Sequence, residues 1–95
     1  LTLAFSALGR MLDESGRDPI GGLTPEQRFF LSYARVWRMN STPEYLRLIV
    51  NSDPHSPAQF RVTGPLSNLD EFAAAFGIPD GSAAIRPVNE RAKVW

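Results

Sequence analysis

The chain has 95 residues with 43% hydrophobic and 11% aromatic content, which suits one small folded segment and argues against a disordered chain. Ten basic residues balance ten acidic ones without a run of either sign, so nothing gathers nucleic acid, and no membrane contact is expected from the segment. With no cysteine and one histidine there is no disulfide framework and no cysteine-based metal site, and no apolar run approaches the length of a membrane span.

Leu1, Ala4, Phe5, Leu8 and Leu12 recur at helical spacing, which predicts an amphipathic first helix ended by Gly16. The chain starts at Leu1 inside that pattern, and the expectation is a piece of a longer protein. Ser15 to Leu23 holds three glycines and a proline among charges, a loop composition and the part expected to be most mobile. Thr24-Pro25-Glu26-Gln27 then gives a helix start, with Thr24 as N-cap, Pro25 in the first turn and Gln27 completing a capping box. This second helix is expected to run to about Met39. Its Phe29, Phe30, Tyr33, Ala34 and Trp37 cover more than one face; Phe30, Tyr33 and Ala34 read as core, while Val36 and Trp37 could instead meet a ligand or another domain.

Thr42-Pro43-Glu44 opens a third helix, with Tyr45, Leu46, Ile49 and Val50 as expected buried positions and Asn51 and Ser52 as its close. It delivers the stretch D-P-H-S-P-A-Q-F-R, Asp53 to Arg61, read as a loop in which Pro54 and Pro57 stiffen the backbone around His55. Asp53 is close enough in sequence to bond one ring nitrogen and hold a tautomer. A histidine between two helices is also compatible with a plain solvated loop. Phe60 to Gly64 is compatible with extended backbone too short to imply a sheet. Ser67-x-x-Asp70 reads as the start of a fourth helix carrying Leu69, Phe72, Ala73 and Phe76, with Gly77 as a left-handed cap and Pro79 preventing continuation. Pro79 to Pro87 is a loop, and the terminal Trp95 is expected to be docked. The expected fold is mainly α, four amphipathic helices with ordered loops, residues 1–95 forming a single segment.

Four stretches together carry a resemblance: L-T-P-E-Q-R-F-F-L-S-Y-A-R-V-W at Leu23 to Trp37, R-M-N-S-T-P-E-Y at Arg38 to Tyr45, D-P-H-S-P-A-Q-F-R at Asp53 to Arg61, and the closing V-W. In this combination the chain resembles the C-terminal part of the neprilysin-like zinc metallopeptidases. The resemblance implies the end of a larger thermolysin-like catalytic domain, peptide substrates, and the remainder of that domain as packing partner. It implies one zinc held upstream, by an H-E-x-x-H helix and an E-N-x-x-D helix that would end just before Leu1, and no metal ligand within this segment.

The resemblance further implies that His55 donates to the oxyanion formed when zinc-bound water attacks the scissile carbonyl, that Asp53 orients His55, and that Arg61 grips a backbone carbonyl of the bound peptide. Val36 and Trp37 match residues near the apolar pocket for the side chain that follows the cut. Ala92 and Arg38 stand where animal members carry thiols, which points to a bacterial-type member, and Pro54 stiffens the approach to His55. The residues alone leave a rival open: a self-contained helical interaction module without catalysis, in which the aromatic face of the second helix binds a partner.

Overall fold

A computed structural model describes residues 1–93, so the expected docking of Trp95 lies outside it. Its elements in order are α1 (Thr2–Ser15), α2 (Pro25–Val36), α3 (Pro43–Ser52), α4 (Ala58–Leu66), α5 (Asp70–Phe76) and a 3-10 turn at Val88–Glu90. The segment is mainly helical, with five α-helices where four were expected. The additional helix is α4, which takes up the end of the expected loop and the interval read as extended.

Local chemistry explains most of the boundaries. Thr24 accepts from the Gln27 backbone at 3.2 Å while the Gln27 side chain accepts from the Thr24 backbone at 3.0 Å, completing the capping box. Thr42 repeats the N-cap of α3 by accepting from the Tyr45 backbone at 3.2 Å. Between α1 and α2 the Ile20 and Leu23 backbones pair across Gly21 and Gly22, whose φ values of 62° and 75° suit a tight reversal that residues with a Cβ resist. Arg17 reinforces that corner by bonding Asp13 and Glu26, each at 2.8 Å.

Two boundaries differ from expectation. α2 stops at Val36, short of Met39, with Trp37 as its C-cap. Ser67 does not cap α5: it stays in helical conformation at the end of α4, and its hydroxyl donates back to the Gly64 carbonyl at 2.8 Å, so α5 starts from Leu69 without a side-chain cap. At the other end of α5, Gly77 takes the left-handed conformation and the Ile78 N–H reaches the Ala73 carbonyl at 2.9 Å.

The core lies where α1, α2 and α5 meet. Phe30, 1% exposed, stacks on Phe5 at 5.2 Å and meets Phe29 and Phe72 edge-on at 5.2 and 5.4 Å. Gln27 ties α2 to α5, its amide donating to the Ala75 carbonyl at 2.9 Å. The tail closes over α5: the Arg91 guanidinium, 7% exposed, bonds Asp70 and Asp80 while its Nε donates to the Arg86 carbonyl at 2.8 Å. Arg86 and Ala92 add backbone bonds to the Ser67 carbonyl and the Asn68 side chain at 2.8 and 2.9 Å.

α3 has no such cover. Tyr45, Leu46 and Val50, expected to be buried, are exposed, and Ile49 is only partly covered. The amphipathic pattern is real, but no other element of the described segment lies on its apolar face. The radius of gyration is 15.5 Å, against about 12 Å for a compact chain of this length. Among the described residues no helix is long and apolar enough to cross a membrane.

Candidate functional site

α3 ends at Ser52 with Asp53 as its C-cap, whose N–H still bonds the Ile49 carbonyl at 2.9 Å and whose backbone is already extended, as the following Pro54 requires. One carboxylate oxygen of Asp53 then accepts from the His55 backbone N–H at 2.8 Å and lies 2.8 Å from His55 Nδ1. The loop folds the imidazole back onto the carboxylate and leaves Nε2 as its outward atom. The His55 backbone N–H, then its ring, then the charges of His55 and Arg61 hold the Asp53 carboxyl below the ordinary carboxylate value, against an opposing desolvation. Both side chains are open to solvent, His55 at 67% and Asp53 at 47%.

Arg61 sits in the first turn of α4. Its Nε donates to the Ser56 carbonyl at 3.0 Å, closing the loop, and its guanidinium carbon lies 4.6 Å from the centre of the Trp37 ring. Its own carbonyl accepts from the Tyr33 hydroxyl at 2.7 Å. The structure therefore brings Asp53, His55, Arg61 and Trp37 into one neighbourhood, built from the end of α2, the loop after α3 and the start of α4. Val36 is not part of it: it is 75% exposed and faces away from the groove that Trp37 lines.

That groove runs between α2, α3 and α4, floored by Leu31, Ala34, Ile49, Val50, Phe60 and Val62. Arg28, Arg35 and Arg38 also line it, without a carboxylate, and Arg28 Nε is buried there with no partner among the described residues. Sequence reasoning missed Tyr33 as a contact of Arg61 and counted it as core. A signal was present: Pro65, four residues after Arg61, cannot donate to the Arg61 carbonyl, so another donor was needed.

Comparison with known proteins gives consistent results. A model of peptidase family M13 matches residues 1–92. An endothelin-converting enzyme homolog of Locusta migratoria is 48% identical over 79 residues, 81% of this chain and 11% of that protein. Endothelin-converting enzyme 1 of Cavia porcellus is 42% identical over 100 aligned positions, covering all of this chain and 13% of that protein. The cryo-EM structure of Mycobacterium tuberculosis zinc metalloprotease Zmp1 in its open state superposes with a TM-score of 0.80 at 33% identity, over 90% of this chain and 14% of that one. The chain thus spans about an eighth of these relatives. The zinc named for Zmp1 does not fit the residues present here: there is one histidine and no cysteine, and among the described residues no three His, Asp or Glu side chains converge on a point.

Proposed function

The chain belongs to peptidase family M13, and from that premise we propose that it forms part of the catalytic domain of a zinc-dependent, thermolysin-like metalloendopeptidase. The parent would cleave peptides, with its metal ligands outside residues 1–95. The segment would contribute a transition-state donor and a substrate clamp. The observation that carries this reading is the cluster itself: an imidazole fixed by a carboxylate stands beside a guanidinium stacked on an indole, on one short loop and the turn that follows.

Hydrolysis of a peptide bond places negative charge on the former carbonyl oxygen. With Nδ1 on Asp53, His55 offers Nε2, which carries a proton to donate when the ring is imidazolium. A donor already oriented towards that oxygen favours the transition state over the ground state. Asp53 orients the ring and touches no substrate. The terminal nitrogens of Arg61 form a planar fork suited to backbone carbonyls, and Trp37 holds that fork in place, so its contribution is alignment of the bound peptide. Trp37 also walls the groove, which supports its assignment beside the pocket for the side chain after the cut. Val36 would join that pocket only with the rest of the domain in place.

The exposed face of α3 suits covering by that remainder, and it would also suit the interaction-module reading. Membership of a peptidase family favours the first. Kinetics on the full-length parent test it: His55→Ala lowers kcat about 100-fold with KM nearly unchanged, whereas Arg61→Met chiefly raises KM. An unchanged kcat in a folded His55→Ala enzyme removes the histidine from the chemistry.

A further inference from the structure

α4 is a weak helix by its own sequence. It spans Ala58–Leu66, has no side-chain N-cap, and contains Gly64 and Pro65. Pro65 has no N–H, so the carbonyl four residues earlier loses its helical donor, and that carbonyl belongs to Arg61. The Tyr33 hydroxyl of α2 occupies the vacant acceptor at 2.7 Å. Tyr33 lies one helical turn before Trp37, on the same face of α2. α2 thus holds Arg61 twice: by its carbonyl through Tyr33 and by its guanidinium through Trp37.

We infer that Tyr33 is a positioning residue for Arg61, its hydroxyl substituting for the backbone N–H that Pro65 lacks and fixing the first turn of α4 against α2. The ring of Tyr33 fills space as any aromatic would, and the hydroxyl is the part with this role. The pair is reciprocal: an N–H at position 65 makes the hydroxyl redundant, and removal of the hydroxyl exposes the defect that Pro65 introduces. The consequence for substrate binding rests on the reading of Arg61 as a contact to the peptide backbone; the substitution of one donor for another does not.

The test is a cycle in the full-length parent of Tyr33→Phe, Pro65→Ala and both together, with Arg61→Met alongside. Two quantities are read: hydrogen exchange of the α4 amides, and KM with kcat. Tyr33→Phe alone lowers α4 protection about fivefold, the worth of one net hydrogen bond, and raises KM about threefold or more with kcat nearly constant. In the Pro65→Ala background the same change leaves both quantities unaltered, because the new N–H supplies the donor. A Tyr33→Phe effect of equal size in both backgrounds, or no effect on α4 in either, overturns the inference. If α4 protection follows the cycle while neither Tyr33→Phe nor Arg61→Met moves KM, the donor substitution stands and the substrate role of Arg61 falls.

Discussion

The two ends of α2 sit in contrasting surroundings. Its first turns, with α1 and α5, enclose Phe30 among aromatic rings; Gln27 ties them to α5, and Arg91 ties the tail to α5. Its last turn faces α3 and α4 across an open apolar groove, with Val50 and Phe60 exposed at 62% and 60%. Every candidate functional side chain belongs to the open half. The closed half has what a small unit needs to hold its shape, whereas the open half presents chemistry beside α3, whose apolar face no other described element covers, and α4, of which only Leu66 is buried. Site geometry here therefore depends on what covers those faces, and segment stability depends on the closed half.

The largest expected effect breaks the closed half. Phe30→Ala removes the ring at the centre of the cluster and costs about 3–5 kcal/mol, a large share of the stability of any small domain, so loss of the thermal transition by circular dichroism is the expected result. A change below about 1 kcal/mol would mean that the aromatic cluster is not the core. The middle effect sharpens the contrast. Val50→Ala on the exposed face of α3 shifts the stability of the separate segment by no more than about 0.5 kcal/mol, and in the full-length parent, where the proposed remainder of the domain covers that face, it costs about 1 kcal/mol or more by denaturant titration. Equal small effects in both settings would leave α3 a free surface and favour the interaction-module reading.

The smallest effect is one of pH. Asp53 is depressed in the folded segment, so its bonds to His55 contribute fully above the ordinary carboxylate range and are lost as pH falls through the depressed value. Hydrogen exchange, corrected for its intrinsic pH dependence, should show loop 53–57 opening on acidification while the Phe30 cluster stays protected. Asp53→Asn should abolish that acid step. With side chains this exposed, the loss of stability stays small.

Legibility in the sequence followed the same division between local and distant chemistry. Thr24 with Gln27, Thr42 with Pro43, and Gly77 are signals whose partners lie within a turn, and each boundary they mark was readable. α4 was not, because Gly64 and Pro65 suppress the helical pattern and Phe60 and Val62 suit an extended strand equally well. Ser67 misled for a related reason: the motif S-x-x-D fits a cap, but α4 continues through Leu66 and claims the hydroxyl for Gly64. The pairing of Asp53 with His55 was legible at a separation of two residues, and so was the family resemblance. The hold of Tyr33 and Trp37 on Arg61 spans more than twenty residues, and only folding brings those groups together.

The guanidinium of Arg91 reaches carboxylates on both sides of α5, Asp70 at its first residue and Asp80 beyond its Gly77 cap. A helix of seven residues has little tendency to persist alone, and a tail of turns has less. The same cation brackets the helix and pins the tail, so each supports the other beyond the hold that α2 already has on α5. Loosening the tail is therefore expected to loosen α5 as well, and with it the packing of Phe72 on Phe30.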